Sequence, residues 1–133
     1  MIAVDTNVLV RLLTGDDQRQ ASAARSLFAE QEIWIAKTVL LETNWVLKSL
    51  YGFDEETTCA AFANLLGLAN VRCEDAAGIL SAFALVDAGL DFAAALHLSS
   101  RPPEAEFVSF DRALVRRALR AGAPRVSQIG QRG

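Results

Sequence analysis

The chain has 133 residues, 52% of them hydrophobic, a net charge of −3 and one histidine, His97. That suits one domain, residues 1–133, around one core; it excludes a disordered chain, and no apolar stretch is long enough to cross a membrane. The charge argues against nucleic-acid binding by the surface as a whole, and a lone histidine leaves a zinc site of His ligands or a Ser-His-Asp triad without its parts.

Taken in order, the apolar run Ile2 to Val4 ends in Asp5, Thr6 and Asn7, and Val8, Leu9, Val10, Leu12 and Leu13 follow at helical spacing. This pattern predicts a buried strand that delivers Asp5 to its C-terminal tip and then turns into a short helix. Ligands of open α/β sheets sit beyond the carboxyl ends of the strands, so Asp5 is either a site residue or the cap of the following helix. Asp5 also interrupts the only apolar run at the start. The start is therefore not a signal peptide, and a cytoplasmic location is expected.

Asp16 or Asp17 caps a predicted helix through about Gln31, with Ala21, Ala24 and Phe28 inward. Ile33 to Ala36 is a second strand, and a helix opens at Lys37-Thr38, runs to about Tyr51 and stops at Gly52. Asp54 caps the next helix, which turns Phe62, Leu65 and Leu66 inward. Asn70 to Cys73 is a short strand. Asp75 caps a helix buried through Ile79, Phe83 and Val86 that ends at Gly89. Asp91 opens a helix to about Ser100, broken by Arg101-Pro102-Pro103. Glu106 to Phe110 is a strand, Asp111 to Ala121 a helix stopped by Gly122, and Arg125 to Ile129 a last strand. Strands alternate with helices and no hairpin signal occurs, which predicts a parallel sheet covered on both faces. Cys59 and Cys73 lack metal-ligand spacing and read as reduced structural thiols.

The acids carry the chemistry. Asp111 repeats the setting of Asp5, a strand-end aspartate opening a helix. Glu42 has Thr38, Val39, Trp45 and Val46 three and four residues away, which places it on an apolar, inward-looking face with no cation to pair it. A buried, unpaired carboxylate calls for a partner or a metal; the alternative is a glutamate favoured by the helix dipole. Asp91 reads first as a helix cap. Acids converging without a basic partner repel one another, and a divalent cation relieves that. Oxygen ligands without Cys or His favour Mg²⁺ or Mn²⁺, which can support phosphodiester hydrolysis. Near the end of the chain, Arg112, Arg116, Arg117, Arg120, Arg125 and Arg132 crowd together. Arg112, Arg116 and Arg120 recur every four residues and form one stripe, either a solvated face or a set of RNA phosphate contacts.

Four segments together resemble the PIN-domain ribonucleases, in particular VapC-type toxins of type II toxin–antitoxin pairs. They are Ile2-Ala3-Val4-Asp5-Thr6-Asn7, Glu42 near the start of its helix, Asp91-Phe92-Ala93-Ala94-Ala95-Leu96-His97-Leu98, and Ser109-Phe110-Asp111-Arg112. The resemblance spans the chain and implies a three-layer α/β/α sandwich with a central parallel sheet. It also implies Mg²⁺- or Mn²⁺-dependent cleavage of RNA, a homodimer, and neutralisation by a cognate antitoxin. Asp5, Glu42 and Asp111 match the family's acids, and Asn7 and Ser109, with Thr6, its supporting polar positions. One departure stands out. The family's third acid begins a pattern like Asp-Ala-Leu-x-x-Ala, and Ala94 stands at that place. Either Asp91, one turn earlier, takes over as catalytic and metal-binding acid, or the chain is naturally weakened, or Ala94 is an inactivating replacement.

Other classes fit less well. A haloacid-dehalogenase-like phosphatase needs a second acid where Asn7 stands. A receiver domain needs a late lysine, and Lys37 and Lys48 are the only lysines. No GxGxxG follows the first strand. The remaining rival is a catalytically silent PIN-like module that acts through a protein partner.

Overall fold

The computed structural model describes residues 1–130; Arg132 of the terminal arginine group lies outside them. The chain divides into two compact units, Met1–Ala76 and Ala77–Gly133. The α/β class and the parallel strand pairing are those expected from the sequence. The strands are hydrogen-bonded as two sheets, one in each unit.

The first unit holds β1 (Ile2–Ala3), α1 (Thr6–Thr14), α2 (Gln18–Glu30), β2 (Ile33–Ile35), α3 (Lys37–Tyr51), α4 (Glu55–Leu66) and β3 (Val71–Cys73). Its sheet runs in the order β1-β2-β3, all parallel, with Ile2 opposite Ile33 and Ile33 opposite Val71. Ile33 and Ile35 of the middle strand are fully buried, as a parallel strand covered on both faces requires. Because the strands are parallel, the residues that follow them emerge at one edge: Asp5 after β1, the start of α3 after β2, and Glu74 and Asp75 after β3.

Helix starts in this unit are closed by carboxylates. Asp5, Asp17 and Asp54 each accept a hydrogen bond from the backbone N–H three residues on. Asp17 is thus the cap of α2, and Asp16 does other work. It pairs with Arg11 at 3.0 Å and accepts from the hydroxyls of Thr14 and Tyr51, which ties α1 to the end of α3. Helix α3 has no side-chain cap of its own at Ala36. The Lys37 N–H instead donates to Glu74 Oε1 at 3.0 Å, and Lys37 Nζ pairs with Asp75 at 2.9 Å. Ala21, Ala24 and Phe28 of α2 and Phe62 and Leu65 of α4 are buried as expected, with Leu66 half-buried. Cys59 and Cys73 form no disulfide; burial pushes the Cys73 thiol up, and the charge of Asp75 adds to this.

The second unit holds most of α5 (Ala76–Asp87), then α6 (Phe92–Ser99), β4 (Phe107–Ser109), α7 (Arg112–Arg120) and β5 (Val126–Gln128). Strands β4 and β5 pair in parallel, Phe107 opposite Val126 and Ser109 opposite Gln128. Ile79 and Ala82 are the buried positions of α5. Phe83 is half-buried and packs its ring 6.2 Å from that of Phe92. Arg101 holds the β4 and β5 approaches together by donating to the carbonyls of Ala105, Pro124 and Arg125. Among the described residues no helix is long and apolar enough to cross a membrane.

The Asp16 cluster gives stability a definite pH dependence. The Tyr51 hydroxyl is the main cause holding the Asp16 carboxyl below the usual range; partial desolvation opposes it, and Thr14 and Arg11 assist it. A carboxyl lowered in the folded state stabilises the fold above its unfolded pKa, about 4, and that contribution is lost as pH falls through the folded value. Tyr51→Phe should therefore lower the thermal midpoint at pH 7. The gap to the parent should shrink as pH is taken from 5 toward 2.5. Melting curves across that range check this; a gap that widens in acid would contradict it.

Candidate functional site

The site begins where β1 ends. The strand stops at Ala3, although the Val4 N–H still reaches the Trp34 carbonyl at 3.4 Å. Asp5 then takes an extended conformation and caps α1, its Oδ1 accepting from the Val8 N–H at 3.2 Å. Its other oxygen has no protein partner among the described residues, and the side chain is exposed. Asp5 is thus a helix cap, and the cap engages only one of its two oxygens.

Thr6 follows, 8% exposed, and its hydroxyl donates to Glu42 Oε1. This bond connects the first residue of α1 to the sixth residue of α3. It sets Glu42 against the residue next to Asp5, so the parallel edge brings these two acids to the same place. Asn7 is exposed and lines a cleft of about 460 Å³ between α1 and α2, together with Asp5, Arg11, Gln20 and Leu27.

The burial inferred for Glu42 is corrected. Glu42 is exposed, Trp45 beside it is 61% exposed, and Val39 and Val46 are only half-buried. The inward face of α3 is Leu40, Thr43, Asn44 and Leu47, all buried. These lie at i, i+3, i+4 and i+7, the spacing of a helix's core stripe. Two polar members disguised that stripe in the sequence. Asn44 is satisfied by donating to Glu55 Oε1 at 3.0 Å, while the buried Thr43 hydroxyl has no partner among the described residues. The case for Glu42 therefore rests on its bond to Thr6 and not on an unpaired buried charge.

The second unit presents Asp91 and Asp111 in the same local form. Asp91 caps α6, its Oδ1 accepting from the Ala94 N–H at 2.7 Å. The cap reading of Asp91 is thus what the geometry shows, and its partner is the backbone of the position where the family's acid is missing. Ala94 is 8% exposed. Asp111 caps α7 by accepting from the Leu114 N–H at 3.0 Å, and its own N–H donates to Ser109 Oγ, also at 3.0 Å. Ser109 therefore fixes the turn at Asp111. Asp91 and Asp111 are exposed.

Among the described residues, no group of three or more His, Cys, Asp or Glu side chains is gathered closely enough to hold a metal ion. In the first unit, Asp5 and Glu42 each keep one carboxylate oxygen without a partner among the described residues. Such a donor set, all oxygen and anionic, suits a hard divalent cation. Nothing in the sequence pointed to Arg11 in this cleft, where it donates to Gln20 at 2.8 Å while also pairing with Asp16. Its spacing from Asp16 was visible, but not the fold of α2 back against α1.

The Thr6 bond can be tested directly. Thr6→Val should lower stability by about 1 kcal/mol, the usual worth of a hydrogen bond. It should also reduce the stabilisation that Mn²⁺ gives, since Glu42 is no longer held; Thr6→Ser should restore both. Thermal unfolding with and without Mn²⁺ reads the two effects separately.

Comparison with protein families gives one match: the PIN domain, over residues 2–120. No individual curated protein matches the chain.

Proposed function

The chain belongs to the PIN-domain family, and from that premise we propose that it is a metal-dependent endoribonuclease, a toxin of the VapC type, weakened at Ala94. PIN domains are generally metal-dependent nucleases. The observation that carries the reading to this chain is the Thr6–Glu42 bond beside Asp5. It holds a helix glutamate next to the acid at the end of the first strand. In this reading residues 1–133 act as one domain in the cytoplasm, and the resemblance assigns Asp111, whose turn Ser109 fixes, to the set of acids.

Asp5 and Glu42, each with an open oxygen, would hold Mg²⁺ or Mn²⁺, and the resemblance assigns the same role to Asp111 and, as far as its cap allows, to Asp91. Such a cation, when bound, supplies an activated water and stabilises the leaving oxygen. The chain's own residues orient the carboxylates: Thr6 sets Glu42, Ser109 sets the turn at Asp111, and each aspartate is fixed by one backbone N–H. Asp91 is a poor substitute for an acid at position 94. Its carboxylate is tied at the start of α6 to the Ala94 N–H at 2.7 Å, so it is held at the helix mouth and does not project as a side chain at position 94 would. Small displacements of a catalytic group cost on the order of a hundredfold in rate. The resemblance further supports a homodimer and a cognate antitoxin that brings a basic side chain to Asp5 and Glu42. The second reading, a silent module acting through a partner, is favoured by one observation: Ala94 is nearly buried and Asp91 is already engaged as its cap.

Generic RNA incubated with the chain, Ala94→Asp and Asp91→Ala, with Mn²⁺ or EDTA, separates the readings. The parent should cleave weakly and Ala94→Asp faster by a hundredfold or so. Asp91→Ala should lose about 1 kcal/mol of stability as a lost cap. Parent activity equal to that of Ala94→Asp, abolished by Asp91→Ala, would make Asp91 the third acid. No cleavage by any of the three would leave the silent module. In the folded chain an aspartate at position 94 is nearly buried, so Ala94→Asp should also melt lower than the parent in EDTA and recover in Mn²⁺.

A further inference from the structure

Arg112, Arg116 and Arg120 line one side of a groove of about 550 Å³ on α7, with Val115, Leu119 and Gln128. The three are exposed, and none has an acid partner or hydrogen-bonded carbonyl among the described residues. Other arginines of the same unit differ. Arg101 and Arg125 donate to backbone carbonyls and so hold the fold. Helix electrostatics accounts for only part of the stripe. Arg120 stands in the last turn, where the dipole favours a cation, but Arg112 stands at the first position, where it does not. Four-residue spacing puts successive guanidinium groups roughly 6 Å apart along the axis, over a line of about 12 Å. That line spans a few phosphates of one strand, whereas double-stranded-RNA-binding domains reach across about 16 base pairs. Phe110, two residues before Arg112 and next to Asp111, is 76% exposed. Phe110 does not line the groove but stands exposed just before the helix that carries the arginines; an exposed ring at the end of a positive groove suits single strands, whose bases stack while the backbone follows the positive charge.

We propose that the Arg112–Arg116–Arg120 face of α7 and the Phe110 ring form a binding track for single-stranded RNA, with the backbone on the arginines and an unpaired base on Phe110. The proposal deepens the nuclease reading and rests on it for the choice of RNA. Unpaired arginines facing a groove call for a polyanion, and guanidinium groups bind phosphate oxygens in pairs. The track runs from Arg120 down to Asp111 and so leads the strand to an acid of the site. The chain's net charge of −3 confines this attraction to the local face.

The test is binding in EDTA, which reads the track without the metal-dependent step; cleavage in Mn²⁺ reads the acids separately. A labelled 12-nucleotide uridine oligomer is titrated by fluorescence anisotropy at several salt concentrations, beside a duplex of equal length and a polyglutamate peptide. Single-stranded RNA should bind best, with a slope of log K against log salt near −2, about 0.7 for each of three arginines. Arg116→Ala should reduce the slope by about 0.7 and Arg116→Lys should keep it. Phe110→Ala should weaken binding about tenfold with the slope unchanged. Equal or tighter binding of the duplex would overturn the proposal, as would binding by both alanine variants at the parent's level. Preference for polyglutamate would assign the face to an acidic protein instead. Loss of a dimer in Phe110→Ala, seen by light scattering with RNA affinity unchanged, would assign it to a second copy.

Discussion

A helix leaves its first N–H groups without partners, and a chain of short helices meets that need repeatedly. Asp5, Asp17, Asp54, Asp91 and Asp111 each close a helix by accepting from the N–H three residues on. The geometry of such a cap fixes a carboxylate at the junction of loop and helix, with one oxygen engaged. Where the cap also follows a parallel strand, as at Asp5 and Asp111, the second oxygen stands at the edge where α/β proteins place ligands. The same local solution thus serves folding at Asp17 and Asp54 and, at Asp5 and Asp111, also leaves a carboxylate at the carboxyl end of a strand. Position in the topology, and not the residue's own conformation, makes the difference.

Glu42 reaches the site by another route. It lies inside α3 and needs a neighbour to orient it, which the buried Thr6 hydroxyl supplies. Thr6 is itself the first residue of α1, so the cap at Asp5 and the orientation of Glu42 are coupled through one turn of backbone. The start of α3 shows the same dependence on the sheet edge, since its N–H is met by Glu74, which follows β3. The three strands and their parallel register are therefore what keep α1 and α3 supplied with partners.

Local signals in the sequence carried the elements well. The strand cores, the helix ends at Gly52 and Gly122, and the aspartate caps all follow from apolar spacing and turn chemistry within a few residues. Nonlocal satisfaction was not legible. Nothing near Lys37 announces Glu74 as its partner, and nothing near Asp16 announces Tyr51, 35 residues away. The face of α3 was misread because its core stripe includes Thr43 and Asn44, while Trp45 and Val46 looked like core by composition. Asn44 is admitted inside because Glu55 satisfies it. The acids themselves were legible as residues, since strand-end aspartates stand out, but the Thr6–Glu42 contact required the fold.

Ala94 shows how far one position can separate fold from chemistry. An alanine there is nearly buried in α6 beneath the carboxylate of its own cap. Nothing in the packing asks for an acid: the helix is capped, and Ala95 and Leu98 are buried around it. An aspartate at the same place would bring a charge into a nearly buried position, close to the carboxylate of Asp91, and would be unfavourable unless a cation shared it. A helix built for folding alone therefore keeps Ala94, whereas one built for metal-dependent cleavage has a reason to tolerate the acid. The chain has the first kind of α6, with Asp91 engaged as its cap. The packing of this helix is therefore complete without an acid at position 94, and only a bound cation would give the chain a reason to carry one there.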